Sequence, residues 1–270
     1  MRKVLVLNKI MLSIIIPSYK DPFLHKTIDS LLENAEGEIE IIPVLDGYWP
    51  NPTIKSDSKI IQIHLGKNRG MRGAINAGMS VAKGDYVMRL DEHCSFDKGF
   101  DKKLTDNCPD NCITTAKRYF LDPVKWEVME NEPVEHEKLV IQGGIKFAGR
   151  RWVERDVEMK DEVISETMAM QGSMWVMPKK WWDDVIGELQ TEGYGPLIQD
   201  SHEVVFKTWK AGGKLLLNKG TWFAHKHRSF ARMHNNGTPE NPANCDAGYK
   251  YALDVWREYY EKEIVPKWKI

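Results

Sequence analysis

Asp91, Glu92 and His93 stand where an apolar run from Tyr86 to Leu90 stops. In an open α/β sheet the carboxyl ends of the strands face the ligand crevice, so a buried strand ending here delivers three polar groups to a binding site. Asp91 and His93 are two residues apart, and on an extended chain they point to the same side. A carboxylate and an imidazole converging on one point make half of a divalent metal site. The same residues serve equally well as the solvated end of an ordinary strand, so the rest of the chain has to decide.

The elements before this point alternate. Leu12-Ser-Ile-Ile-Ile-Pro-Ser-Tyr19 reads as a buried parallel strand. Asp21 and Pro22 suit the cap and first position of a helix, with Leu24, Ile28, Leu31 and Leu32 at helical spacing through Asn34 and a stop at Gly37. Ile39 to Asp46, followed by Gly47, is a second strand, and Lys59 to His64 a third. Asn68 to Gly78 is a glycine-punctuated loop feeding a helix through Ala82, whose early N–H groups could face an anion. This alternation predicts a parallel α/β sheet with Tyr19, Asp46 and Asp91 along one edge, a nucleotide-binding arrangement by position. No G-x-G-x-x-G follows the first strand and no P-loop is present.

After Pro109 the pattern loosens. Ile113 to Tyr119 reads as a strand, Lys125 to Lys138 as a charged loop or solvated face, and Gly143 to Phe147 and Arg151 to Glu154 as edge strands. Acceptor recognition is expected in this middle section. Met170 to Met177 is an apolar strand, and Lys179 to Leu189 a helix with Trp182, Val185, Ile186 and Leu189 on one face. Asp200 or Ser201 suits the cap of a helix that stops at Gly212-Gly213. A strand over Lys214 to Asn218, the stretch Thr221 to Arg228, a polar loop from His234 to Asn244 and a closing helix from Asp246 to Glu261 complete the chain. The expected organisation is a single domain over 1–270, with a nucleotide-binding half (about 12–108), an acceptor and metal half (about 109–245) and a C-terminal helix (246–270).

Composition narrows the classes. The 270 residues carry a net charge of −1, so no global basic field drives nonspecific nucleic-acid binding. Four cysteines, Cys94, Cys108, Cys112 and Cys245, do not make a disulfide scaffold. Cys108 and Cys112 could hold half a zinc site, but no second pair follows, and they read as thiols in a reducing compartment. The first residues mimic a signal peptide weakly: Asn8 and Lys9 break the apolar run, and no cleavage site follows before Pro17. No segment approaches the about 18 consecutive apolar residues of a membrane span, which leaves a cytoplasmic protein as the expectation.

Taken together, these motifs resemble the GT-A fold glycosyltransferases of family 2, with a D-x-H metal motif like that of polypeptide GalNAc-transferases. Ser13 to Tyr19 matches the opening strand, and Asn68-x-Gly-x-x-x-Ala-x-Asn-x-Gly78 the family loop, although the arginine usual at the place of Ile75 is missing. Asp200-Ser-His-Glu203, Phe206, Trp209, Gly212-Gly213, His225 and Arg228 follow in the family's order. The resemblance implies a GT-A, Rossmann-like, mostly parallel sheet flanked by helices. It implies metal ligation by Asp91, His93 and His225. Donor contacts are implied at Pro17, Ser18, Tyr19 and Asp46, at Arg69 or Arg72 in place of the missing arginine, and at Asp91, Glu92, Trp209 and Arg228. Asp200 and Glu203 fall at the catalytic positions.

The chemistry agrees with that set. Two histidines and a carboxylate suit Mn²⁺ better than Mg²⁺, which prefers oxygen. Such an ion bridges the phosphates of a UDP-sugar and stabilises the departing nucleoside diphosphate, with Arg228 adding a bidentate contact and Asp46 holding base or ribose. Asp at position 200 leans towards an inverting course with Asp200 as general base, whereas D-x-H leans towards retention, and the sequence leaves both open. His227 and His234 fit phosphate or acceptor contacts as well as plain exposed positions.

The expected activity is metal-dependent transfer of a sugar from a UDP-sugar to a hydroxyl of a glycan, a protein or modified DNA, in a bacterial or bacteriophage setting, without the lectin domain and stem of the animal enzymes. Lys226, His227, Arg228, Arg232 and His234 prompt the DNA option, in which hydroxymethylated pyrimidines are the acceptor. A sugar nucleotidyltransferase is the second alternative, but Tyr19-Lys-Asp-Pro is not its Gly-rich triphosphate loop. A non-catalytic binding module is the third, and it predicts that Asp91→Ala changes nothing.

Overall fold

The computed structural model describes residues 10–227 and 245–270. The chain opens with β1 (Met11–Ser18), α1 (Leu24–Asn34), β2 (Glu38–Asp46), β3 (Ile63–Leu65), α2 (Gly70–Val81), β4 (Tyr86–Leu90), β5 (Cys94–Phe96) and α3 (Phe100–Thr105). It continues through β6 (Cys112–Asp122), β7 (Glu127–Val128), β8 (Glu137–Gln142), β9 (Lys146–Arg151), α4 (Val153–Glu158), β10 (Ile164–Glu166) and β11 (Met174–Pro178). The remainder is α5 (Lys179–Trp181), α6 (Asp200–Lys210), β12 (Lys214–His225), α7 (Cys245–Tyr259) and α8 (Val265–Trp268).

One sheet runs through both expected halves in the order β10-β12-β6-β11-β4-β1-β2-β3, with β5 added on β12 and β7 on β6. The expected mostly parallel α/β core is present: β1 lies parallel to β2 and β4, β2 to β3, and β12 to β6. The join between halves is antiparallel, through β11 beside β4 and β6. β1 and β2 are buried almost throughout because helices cover both faces. Ile14 and Ile16 pack with Leu24, Ile28, Phe100 and Phe223 on one face, and Ile15 with Val44, Ile75 and Met79 on the other. Gly78 lets α2 lie close: a Cβ there would meet Ile15 Cγ2 at 2.5 Å.

Several expected boundaries are corrected. The third strand is only Ile63–Leu65, while Ile60 makes an isolated bridge to Ile41. Helix α1 starts at Leu24 rather than at Pro22, and the Asp21 carboxylate accepts from Phe23 N at 2.7 Å in the turn before it. The helix expected over Lys179 to Leu189 is one α turn followed by a π turn, Trp182–Ile186, stopped by Gly187 at φ 67°. Leu189 lies beyond it, its N–H bonded to Asn76 Oδ1. The stretch Arg151 to Glu154 divides between the end of β9 and the start of α4, and β8 and β9 form a hairpin about Gly143-Gly144. β12 is a single strand to His225, with a register shift between Asn218 and Trp222. Among the described residues no helix is long and apolar enough to cross a membrane.

Candidate active site

Asp91 follows β4, His93 precedes β5, and His225 closes β12. The three meet because β5 turns back onto β12 with Cys94 opposite His225. One ligand atom from each lies within 4.8 Å of the others. His225 Nε2 is 3.1 Å from Asp91 Oδ2, and His93 Nε2 is 3.8 Å from the same oxygen. His93 Nδ1 donates to Asp21 Oδ2 at 2.9 Å, which fixes its tautomer and leaves Nε2 as the acceptor. That nitrogen is buried without a partner among the described residues.

The electrostatics favour the ligand forms. Burial alone would raise the Asp91 carboxyl, but Arg89, with Nη2 2.8 Å from Oδ1, and then the two histidines hold it well below the usual carboxylate range. Burial pushes the His225 imidazole down to about 4 against the opposing pull of Asp91. An ionised Asp91 and a neutral His225 are the forms in which these groups bind a divalent cation. The donor set, two nitrogens and an oxygen around an orphaned Nε2, fits Mn²⁺.

A second cluster of ligand-type groups, Glu135, His136 and Asp156, has a different character. Both His136 nitrogens are engaged, Nδ1 with Asp156 Oδ1 at 3.0 Å and Nε2 with Ser165 Oγ at 2.7 Å.

Asp200 is the first residue of α6, after Gln199 in the left-handed region at φ 58°. Its Oδ2 is buried without a hydrogen bond and lies 3.9 Å from Arg89 Nη2. Arg89 therefore stands between Asp91 and Asp200, a residue the sequence reading passed over inside the apolar run Tyr86 to Leu90. Asp21 was read only as a helix cap, and its hold on His93 had no local signal.

Other expected site residues lie elsewhere. Arg72 is fully buried and donates to Ile198 O at 2.9 and 2.7 Å and to Gln190 O at 2.8 Å, and it forms an ion pair with Glu203. Glu203 also meets Lys207 at 2.8 Å, so its carboxylate is committed to holding the loop before α6 and not to the metal trio. Trp209 packs edge-on to Phe206 in the core. These placements correct the donor contacts expected of Arg72 and Trp209 and the catalytic position expected of Glu203.

The nucleotide side is also more self-contained than the sequence implies. Asp46 accepts from Arg69 N at 2.6 Å, Gly70 N at 2.8 Å and Asn68 Nδ2 at 2.9 Å, so the anion at the start of α2 is this side chain. Burial raises its pKa, and those bonds oppose the rise. Arg69 itself is exposed. Pro17 and Ser18 end β1, the Ser18 hydroxyl is bonded to Tyr48, and Tyr19 N donates to Glu92 Oε1 at 3.2 Å. Burial, reinforced by the charge of Asp21, raises Glu92 to about 8. Trp49, 66 % exposed, stacks on His64 with ring centroids 4.0 Å apart at this edge. Arg228, Arg232 and His234 lie outside the described residues.

Comparison with known proteins bears on the family and the fold. Residues 13–185 match the family model described as glycosyl transferase family 2. The chain is 34% identical over 109 residues to the uncharacterized glycosyltransferase EpsJ of Bacillus subtilis, covering 37% of this chain and 31% of that protein. It is 25% identical over 215 residues to the putative polypeptide N-acetylgalactosaminyltransferase 13 of Drosophila melanogaster, 71% of this chain and 37% of that one. The mouse polypeptide N-acetylgalactosaminyltransferase 4 is 23% identical over 93% of this chain and 44% of its own length. The chain thus spans less than half the length of these curated relatives. Its fold matches the crystal structure of GalNAc-T7 with UDP, GalNAc and Mn²⁺ at a TM-score of 0.71 and 15% identity, over 96% of this chain and 51% of that one.

Proposed function

The chain belongs to glycosyl transferase family 2, and on that premise we propose that it is a metal-dependent glycosyltransferase moving a sugar from a UDP-sugar to a hydroxyl acceptor. The observation that carries this reading is the buried, partnerless Nε2 of His93, turned towards Asp91 and His225 by Asp21. Asp91, His93 and His225 hold the ion, Asp21 fixes the ring of His93, and Arg89 keeps Asp91 ionised. When bound, a divalent ion supplies Lewis-acid stabilisation of charge on the leaving diphosphate. The bond from the anomeric carbon to the diphosphate oxygen breaks with its electron pair on that oxygen. The acceptor oxygen bonds to the carbon and gives its proton to Asp200, whose Oδ2 has no hydrogen-bond partner of its own among the described residues. Inversion at the anomeric carbon is the outcome this role requires, and the configuration of the product tests it.

The structural neighbour, GalNAc-T7 with UDP, GalNAc and Mn²⁺, supports the choice of donor and metal. The decisive experiment measures binding and hydrolysis of UDP-, GDP- and CMP-sugars with and without Mn²⁺. Mn²⁺-dependent binding of a UDP-sugar, abolished by His93→Ala, is expected. If the wild-type chain binds no nucleotide sugar with Mn²⁺, this reading is rejected.

A DNA acceptor is the second reading, favoured by a basic and aromatic patch beside the trio. Lys226, next to His225, lies 5.3 Å over the ring of Phe23, Phe23 stacks on Trp126 at 5.8 Å, and Lys26 covers Trp126 at 5.1 Å. Cations interleaved with aromatics suit nucleic acid. Transfer from UDP-glucose to a hydroxymethylpyrimidine duplex, compared with plain duplex, separates the two readings.

A further inference from the structure

Close to the metal trio two side chains of opposite charge are buried with no ion pair between them. Arg118 of β6 is 6 % exposed and Glu137 of β8 is 4 % exposed. Arg118 lies beside Phe223 in the β6–β12 register, and Phe120, two residues on, lies beside His225. Burial lowers the pKa of its guanidinium, and the nearby carboxylate of Glu137 opposes that fall. Arg118 Nε and Glu137 Oε2 are both enclosed without a hydrogen bond among the described residues. Buried charges are ordinarily paired, and an orphaned group in a low-dielectric interior is costly.

The third member is Gln171, whose amide nitrogen donates to Glu137 Oε1. It begins the segment Gln171-Gly172-Ser173 that joins the trio to α6. Ser173 O accepts from Asp91 N at 2.9 Å, and a Cβ on Gly172 would lie 3.3 Å from Ser201 Oγ, next to Asp200. Ser173 Oγ is also enclosed without a partner. Through Gln171 and the two residues after it, Glu137 is thus linked to the segment that touches both Asp91 and the start of α6.

We propose that Arg118 and Glu137, positioned by Gln171, recognise hydroxyl groups on the sugar ring of the donor. An isolated guanidinium would call for an anion, but a carboxylate of equal burial shares its surroundings, so the pair together has no excess charge to neutralise. A hydroxyl serves both members at once: its oxygen accepts from the guanidinium and its hydrogen donates to the carboxylate. Groups built to hydrogen-bond a hydroxyl discriminate strongly against a ligand lacking it, because the buried partners are then left unpaired. Gln171 holds Glu137 through Oε1, which leaves Oε2 as the oxygen that accepts from a sugar hydroxyl.

This inference rests on the donor reading above, and calorimetry with Mn²⁺ distinguishes the failure of each. UDP and a panel of UDP-glucose, UDP-galactose, UDP-GlcNAc and UDP-GalNAc are titrated into the wild-type chain and into Arg118→Met and Glu137→Gln, with circular-dichroism melts alongside. The expected result is a UDP-sugar whose affinity advantage over UDP falls about tenfold or more in each variant, as for a lost hydrogen bond to a charged group, while UDP itself stays within about twofold. A folding defect would lower both ligands together, and Glu137→Gln, which keeps shape and volume, guards against it. A wild-type chain that binds neither UDP nor any UDP-sugar removes the donor reading and this one with it. A wild-type chain that binds both, with the ratio unchanged in the variants or with UDP lost in proportion, removes this inference alone.

Discussion

Asp91–His93–His225 and Glu135–His136–Asp156 look alike on paper: each gathers three ligand-type groups within 4.8 Å. They differ in what their imidazoles still lack. In the second cluster His136 is closed at both nitrogens, by Asp156 and by Ser165, so the ring is a finished cross-link between β8, α4 and β10. In the first, His93 is closed at Nδ1 only, and Nε2 faces Asp91 and His225 without a partner of its own. A saturated histidine stabilises the fold, whereas a half-saturated one held by a carboxylate is prepared for a ligand. Proximity of ligand-type residues therefore says less than the count of unfilled valences.

The largest expected effect breaks that contrast most directly. Asp91→Ala or His93→Ala should weaken Mn²⁺ binding by more than about 100-fold, beyond the range seen for outer partners, and His136→Ala should leave Mn²⁺ affinity unchanged. Titration followed by calorimetry or by the Mn²⁺ electron paramagnetic resonance signal reads this out. Equal losses from both clusters would abolish the distinction. The next effect sharpens it: Asp21→Asn keeps the shape of the outer partner but weakens its grip on His93, and should cost about 10- to 100-fold in metal affinity. In the opposite direction, His136→Ala leaves Asp156 and Ser165 with lost bonds in a buried position and should destabilise the chain by about 1–3 kcal/mol in urea unfolding.

What was legible in the sequence divides along the same line. Asp91 and His93 announce themselves locally, by type, spacing and position at a strand end, and the strands and helices from Met11 to Leu90 follow from apolar periodicity. His225 and Asp200 became candidates only through resemblance, because nothing local marks a residue that lies 134 positions from its partner. The misreadings share a cause. Arg72 and Glu203 are charged residues in motif-like segments, but a partner 131 positions away turns both inward. Arg89 escaped notice and Asp21 was read only as a cap for the converse reason, since each acquires its place at the site from long-range packing. The π turn at Trp182–Ile186 kept its helical periodicity but not its helix, because Gly187 in the left-handed region ends it early.

The smallest expected effect tests the saturated cluster through pH. Burial lowers the His136 pKa from its ordinary value, against the opposing pull of Asp156. A histidine with a depressed folded-state pKa binds its proton more readily in the unfolded chain. Its contribution to stability is therefore complete above the unfolded value of about 6.5 and declines as pH falls below it towards the folded pKa. The thermal midpoint should accordingly drop between neutral pH and mildly acidic pH, and the part of that drop due to this ring should vanish in His136→Gln. An acid-side slope that persists unchanged in His136→Gln would assign the proton to another group and leave the saturated cluster as a pH-independent cross-link.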